Sequence, residues 1–370
     1  MTRALIVITS LVTGCVLLAG GVSAHPAWGI AVDRNNQIYF SDLETVWKID
    51  ARGKLTVFRA GVSGRHTHDL NVDEAGNLYG ADNSYEPATQ RFFSAVWKMT
   101  PAGDFSYLLA PTDDPPEGTS IWRDRDGNTY HATNYPEREL LVLKRTPNGN
   151  VTALVGSGNA VRAYRQGVPY SVGGMAVGAD GAVYFTDGPN VRKITADGRL
   201  TTLARDLAAE KSPENPTPEN PVTRLFGVAV DARGNVFVAD NGNRRVLKVA
   251  PDGTLSTAAR AERPWSPTGI ALKDGDLYIL EFGFTPPSTY TPRVRRLSAD
   301  GTITVLAAVG ENGSPAAGER ASGGRSDRST EPRTRLPYAL VGVGAAIFAL
   351  TILIRRSRRR TSARQQSALK

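Results

Sequence analysis

The sequence predicts an all-β fold, a six-bladed β-propeller built from four-stranded antiparallel blades. Two observations predict it. The segment Phe226–Ala258 contains four short apolar runs separated by glycine-bearing turns, which is the pattern of one blade. The same pattern recurs along the chain at intervals of roughly 46–55 residues, a period typical of propellers. Because one such sheet cannot bury both of its faces, the copies must pack against one another.

The copies align at two places in each blade. First strands begin at Trp28, His68, Thr119, Gly173, Phe226 and Thr268. The turn between the third and fourth strands carries Gly53, Gly103, Gly149, Gly198, Gly253 and Gly301. A glycine at this place indicates a positive φ, which other residues adopt only with strain. We therefore expect six blades over residues 25–310.

The composition indicates a turn-rich globular chain: 370 residues with 37 Gly and 23 Pro. The one cysteine, Cys15, lies in the N-terminal apolar segment, so we expect neither a disulfide framework nor thiolate chemistry. The formal net charge is +8, but residues 319–370 alone contribute about +9. Since the predicted propeller is then slightly acidic, we predict no nucleic-acid partner.

The N-terminal residues 1–24 predict a secretory signal peptide. Arg3 precedes an apolar run, and Val22-Ser23-Ala24 supplies small residues before a cleavage point. An alternative is open, because Val12–Cys15 also resembles the lipobox of bacterial lipoproteins. Either interpretation places the chain in an export pathway.

The C-terminal residues predict a membrane anchor. Leu336–Ile354 carries no charge and is long enough to cross a bilayer core as a helix. The Arg-rich residues 355–370 follow, so the positive-inside rule places them in the cytoplasm and the propeller outside. The composition of residues 311–335 indicates a flexible linker. The layout is also similar to bacterial sorting signals, although Leu336–Leu340 departs from the LPxTG pattern at its last two positions.

The connections predict which face of the propeller is the binding face. Turns after the first and third strands are short, whereas connections on the opposite face are long and variable. The long ones are Asn83–Ala95, Pro111–Gly118, Gly156–Tyr170, Asp206–Thr223 and Phe282–Pro292. Variable insertions confined to one face of a repeat protein are typical of a binding face.

The blade at Phe226–Val249 resembles the NHL repeat, and the likeness extends over Trp28–Val309. At the level of the fold the chain is also similar to the gluconolactonase/regucalcin group and to the streptogramin lyases. Those resemblances imply a divalent cation, Ca²⁺ or Mg²⁺, near the mouth of the central channel. The gluconolactonase group opens its first blade with a Glu-Gly-Pro metal ligand, whereas the segment in this chain, His25–Gly29, has no carboxylate.

The last residue of each second strand forms a predicted ring around the channel mouth. The six residues are Asp42, Asp82, Thr133, Asp187, Asp240 and Glu281. A ring of carboxylates suggests a cation site, and we take Asp82 and Glu281 as candidate metal ligands. The alternative is structural, because an Asp at this place can accept backbone N–H bonds from the following turn.

Histidines near the mouth are the candidate catalytic residues. His68 is expected to neighbour Asp82, a pairing suited to an oriented general base or to metal ligation, and His131 lies in the next blade. The resemblance to streptogramin lyases implies a comparable site. Candidate binding residues surround these two histidines: Trp28, His66, Asp69, Tyr85, Thr119 and Phe226.

The sequence leaves three functions open. The first is an exported, membrane-anchored propeller that binds a small molecule or a protein outside the cell. The second is a metal-dependent lactonase, hydrolase or lyase acting at the channel mouth. The third is an assembly module. The sequence does not identify the ligand.

Overall fold

The structure is a computed structural model. It describes residues 26–115, 120–124, 126–133, 141–155, 172–207, 225–285 and 289–310. The predicted signal peptide, linker, membrane helix and basic tail lie outside these residues. Within them, no helix has the length and apolar character needed to span a membrane.

Six antiparallel sheets follow one another along the chain, each made of consecutive strands, so the predicted six-bladed propeller is confirmed. Blade 1 comprises β1 (Ile30–Val32), β2 (Ile38–Ser41), β3 (Val46–Ile49) and β4 (Leu55–Arg59). Blade 2 comprises β5 (Arg65–Val72), β6 (Leu78–Glu86), β7 (Arg91–Met99) and β8 (Phe105–Thr112). Blade 3 comprises β9 (Thr129–Thr133), β10 (Leu141–Arg145) and β11 (Val151–Val155), with a bridge from Arg123 to Thr129 at its inner edge.

The remaining three blades have four strands each. Blade 4 comprises β12 (Met175–Val177), β13 (Val183–Asp187), β14 (Asn190–Ile194) and β15 (Leu200–Ala204). Blade 5 comprises β16 (Leu225–Val230), β17 (Val236–Asp240), β18 (Arg245–Val249) and β19 (Leu255–Arg260), with a 3-10 turn at Asn241–Asn243. Blade 6 comprises β20 (Trp265–Lys273), β21 (Asp276–Thr285), β22 (Thr289–Leu297) and β23 (Ile303–Ala308).

The turns that define the repeat have the predicted backbone geometry. All six glycines of the turn between the third and fourth strands have a φ between +83° and +96°. The turn after the first strand is held by an aspartate: in blade 5, for example, the Asp231 carboxylate accepts the backbone N–H of Asn235 at 2.8 Å. We call the face that carries both kinds of turn the turn face, and the opposite face the loop face.

The ring closes by side-chain packing between the first and last blades. Phe40 and Trp47 of blade 1 share one buried cluster with Leu280 and Val294 of blade 6. On the turn face, the Lys273 Nζ of blade 6 donates to a backbone carbonyl and a side-chain oxygen of the first turn of blade 1. Because each described sheet uses only its own consecutive strands, this packing rather than a shared strand joins the ends.

Two segments expected to be loops are instead extensions of strands. Asn83–Ala95 lies in a hairpin formed by β6 and β7, with Tyr85 opposite Phe92 and Glu86 opposite Arg91. The segment Phe282–Pro292 belongs mainly to the longer hairpin of β21 and β22. Cross-strand pairing continues beyond the body of both blades, so two ribbons project from the loop face. Of the other long connections, Gly156–Tyr170 lies outside the described residues, as do most of Asp206–Thr223 and the end of Pro111–Gly118.

Candidate functional site

Three stacked rings cross the loop-face end of the central channel, which we call the mouth. The Trp28 indole stacks on the His68 ring, with centroids 4.8 Å apart, and on the Phe226 ring, with centroids 5.5 Å apart. His68 belongs to blade 2 and Phe226 to blade 5, and these blades lie opposite each other in a ring of six. The stack therefore spans the channel and brings together three residues that the sequence placed at the mouth.

A carboxyl group fixes the central ring of this stack. The Trp28 Nε1–H donates a hydrogen bond of 2.6 Å to Asp69 Oδ1. Asp69 is half-buried in the channel wall, and burial raises the pKa of its carboxyl to about 7 despite the opposing effect of this hydrogen bond. Four other blades have glycine at its position, as the comparison of the repeats predicted: Gly29, Gly174, Gly227 and Gly269.

His66 is the fifth predicted residue at the mouth. Its ring lies edge-on to the His68 ring, with centroids 5.9 Å apart. The pairing of β5 with β6 shifts its register between Thr67 and Asp69, and both histidines and Asp69 lie at this point, at the mouth. Two imidazoles and a carboxyl group that titrates near neutral pH thus meet the aromatic stack at one point.

The titration of Asp69 predicts a pH-dependent stability. Its pKa is about 7 in the folded chain against an ordinary value of 3.8, so between about pH 4 and pH 7 the folded chain binds more protons than the unfolded chain. The contribution of the Asp69 carboxyl to the free energy of unfolding is therefore lost as the pH rises from about 4 to about 7. We expect Asp69→Asn to raise the Tm at pH 8 by about 5 °C and to leave it unchanged near pH 4.

Thermal unfolding of the full chain at several pH values measures this difference. Asp274→Asn is the matched control, since the Asp274 side chain is 83% exposed. A difference between Asp69→Asn and the parent chain that is constant with pH would contradict the assignment.

The predicted ring of carboxylates is present, but arginine side chains pair with most of its acids. Asp82 accepts two hydrogen bonds from the Arg59 guanidinium, at 2.9 and 2.6 Å, and others from Thr67 and Trp97. Glu281 is fully buried between Arg293, at 2.7 Å, and Arg295. Both predicted metal ligands are therefore neutralised by cationic side chains.

The other ring positions follow two schemes. Asp187 pairs with Arg192 at 2.7 Å and Asp240 with Arg245 at 2.8 Å, each five residues further along the chain. Burial raises the pKa of Asp187 to about 6, although Arg192 opposes the shift. Asp42 instead accepts the backbone N–H of Thr45, as the structural interpretation predicted, and the Trp47 indole N–H.

The ion that the resemblance implies does not fit these donors. A divalent cation bound by Asp82 or Glu281 would have to displace an arginine that already supplies the balancing charge. Among the residues that the structure describes, no three His, Cys, Asp or Glu side chains are grouped so that they could hold a metal ion.

Three predicted site residues lie away from the stack or cannot be placed. His131 is in the middle of β9, opposite Leu143, and burial lowers its pKa. Its register position carries buried core residues in four other blades: Phe40, Phe185, Val238 and Ile279. Tyr85 is 47% exposed on the β6–β7 hairpin beside Phe92. Thr119 lies outside the described residues.

Arginines are the site residues that the sequence analysis missed. The sequence did carry a signal for two of them, since Arg192 and Arg245 follow their acids at the same five-residue spacing across a short turn. It carried none for Arg59, because this residue reaches from β4 of blade 1 to Asp82 of blade 2.

Comparison with known proteins assigns no activity to this chain. No protein-family model matches the sequence, and no curated protein is similar to it in sequence. Similar solved structures include a streptogramin B lyase (16% identity, 77% of this chain and 84% of that chain, TM-score 0.43). A gluconolactonase from Xanthomonas campestris is similar at 15% identity (69% and 83%, TM-score 0.45), and a Bacteroides caccae protein of unknown function at 13% (72% and 90%, TM-score 0.47). These values are too low to assign a function, and the NHL resemblance stays a prediction.

Proposed function

We propose that this protein is an exported, membrane-anchored propeller whose loop face binds a small molecule or a protein ligand outside the cell. The observation that carries the proposal is the Trp28 stack at the mouth, with a long hairpin in the blade on either side of blade 1: β6–β7 in blade 2 and β21–β22 in blade 6. The connection between β2 and β3 of blade 1 at this face, Asp42–Thr45, is short. We infer that the stack is the floor of a recess between the two hairpins.

The lining of the recess supports an amphipathic ligand. Aromatic rings supply apolar contact area, and the Asp69 carboxyl group and the two histidines supply hydrogen-bonding groups. The β6–β7 hairpin adds Tyr85 and Phe92, whose rings are 4.8 Å apart and which are 47% and 72% exposed. Exposed, paired aromatic rings are typical of binding surfaces.

The location rests on the sequence alone. The apolar residues 336–354 and the Arg-rich residues after them favour a propeller outside the cell and a tail inside. Protease treatment of intact cells or spheroplasts should digest the propeller and protect the tail. Digestion of the tail alone would reverse the topology.

Ligand binding at the recess is tested with a metabolite library and thermal unfolding of the full chain. Compounds that bind should raise the Tm of the parent chain by about 2 °C or more, and Trp28→Ala should abolish the shift because it removes the floor. Leu108→Ala, half-exposed on the outer strand of blade 2, is the matched control and should keep the shift. Compounds that shift Trp28→Ala equally bind elsewhere and would refute the assignment. A library without a binder would count against a small ligand and favour a protein.

A second candidate is an enzyme acting at the mouth, a lactonase, hydrolase or lyase. The observation that favours it is the meeting of His66, His68 and Asp69, since a carboxyl group titrating near neutral pH beside imidazoles suits general acid–base catalysis. No step of this chemistry is assigned to a cation, because Asp82 and Glu281 are paired with arginines. The predicted Ca²⁺ or Mg²⁺ stays a prediction, and elemental analysis of the purified full chain tests it.

A further inference from the structure

One arginine interrupts an aliphatic collar at the turn-face end of the channel. At this register the first strand of each blade pairs with the start of the second strand. Five blades place a half-buried aliphatic side chain there: Val32, Val72, Val177, Val230 and Leu272. Blade 3 places Arg123. A guanidinium in an apolar ring is costly to bury, so its presence calls for a reason.

The collar opens into the central cavity. This cavity has a volume of about 310 Å³ and extends along the inner strands from Trp28 to the collar. Asn71 of blade 2 adds an amide to its wall, where four other blades carry alanine. The charged and amide side chains of the wall, Asp69, Asn71 and Arg123, are therefore all on blades 2 and 3, and the other lining residues are apolar residues or glycine.

Arg123 differs from the ion-paired arginines of the blades. Its guanidinium lies over the Tyr79 ring, 4.3 Å from the centroid, and this contact holds it at the cavity wall. Its Nε is buried and makes no hydrogen bond within the described part of the chain. Arg59 and Arg192, in contrast, each pair with a ring carboxylate. Arg123 has the donor geometry for a carboxylate but no such partner among the described residues.

Nearby acids do not take that role. Asp73, Glu74 and Asp124 line a second cavity of about 350 Å³, which Arg123 also lines. The carboxylates of Asp73 and Asp124 hold the turns of blades 2 and 3, through Asn77 and Asn128 respectively. Arg123 lines the central cavity as well, and none of these three acids does.

We propose that the turn-face half of the channel binds a small organic monocarboxylate, with its carboxylate paired to Arg123 and its apolar body against the aliphatic collar. Asn71 supplies an additional donor from its amide. This site lies at the collar end of the cavity, whose other end is the Trp28 stack, and it goes beyond the function proposed for the loop face.

The probes are 4-fluorobenzoate and its neutral isostere 4-fluorobenzamide. Fluorine NMR measures the binding of each probe to the full chain in lipid nanodiscs. We expect the parent chain to bind the benzoate at least ten times more tightly than the benzamide. Arg123→Val, which places the residue of four other blades at this position, should weaken benzoate binding at least tenfold and leave benzamide binding unchanged. Arg52→Val removes an exposed arginine from the same face and should have no effect.

The stability of Arg123→Val and benzoate binding by Asn71→Ala are two further tests. Arg123→Val should not lower the Tm, because it removes a half-buried cation that lacks a carboxylate partner among the described residues. Should this variant fail to fold, Asn71→Ala must weaken benzoate binding severalfold. Binding of neither probe at millimolar concentration, equal binding of both by the parent chain, or parent-like benzoate binding by Arg123→Val would each overturn the proposal.

Discussion

Replacing Glu281 by Gln is expected to lower the free energy of unfolding by about 3–5 kcal/mol, because it removes one partner of a buried ion-pair network and leaves the others uncompensated. The Glu281 carboxylate is fully buried and is bonded to both Arg293 and Arg295. Without it, two positive charges remain in a site with little water. Among the described residues, Arg293 retains Glu262 at 2.9 Å, whereas Arg295 retains the carbonyl oxygen of Arg260 and no acid.

Chemical unfolding of the full chain, followed by tryptophan fluorescence, measures this loss. The matched control is Asp113→Asn, which breaks the exposed pair with Arg91 and should cost about 0–1 kcal/mol. Equal losses in the two variants would show that burial does not strengthen the Glu281 pair. Calcium or magnesium ions that stabilise the parent chain but not Glu281→Gln would instead identify Glu281 as a metal ligand.

Replacing Gly269 by Ala is expected to cost about 3 kcal/mol, because the added methyl group meets backbone rather than a movable side chain. A Cβ at this position would lie 2.3 Å from the carbonyl oxygen of Trp28 and 3.0 Å from Ile30 Cγ2. Blades 6 and 1 must separate to admit it. Since Trp28 also carries the mouth stack, tryptophan fluorescence should change together with the stability.

Gly283→Ala in the same blade is the matched control for this clash. Its Cβ would meet side chains rather than backbone, the edge of the Trp265 ring at 3.2 Å and Thr291 Oγ1 at 3.4 Å, so a shift of a few tenths of an ångström relieves the contact. We expect a loss below about 1 kcal/mol. A loss for Gly269→Ala no larger than that of the control would mean that the inner strands are not held as closely as the structure indicates.

The candidate site was predictable in part. Comparison of the six repeats identified Trp28, His68 and Phe226 as mouth residues, because each begins the first strand of a blade, and it marked Asp69 as a departure from glycine. It did not show that their rings stack across the channel, since that contact joins residues of three different blades. His131 was placed at the site by residue type, whereas its register puts it in the body of blade 3.

By itself the sequence determined the number of blades, their strand order and the turn glycines. These features are local: alternating apolar residues and positive-φ glycines act within a few residues of one another, and the repeat copies them six times. Only the tertiary structure decided which charges are paired and which lack an oppositely charged partner among the described residues. Arg59 pairs with Asp82 and Arg123 remains on the Tyr79 ring because ring closure, not chain spacing, sets the distances between neighbouring blades.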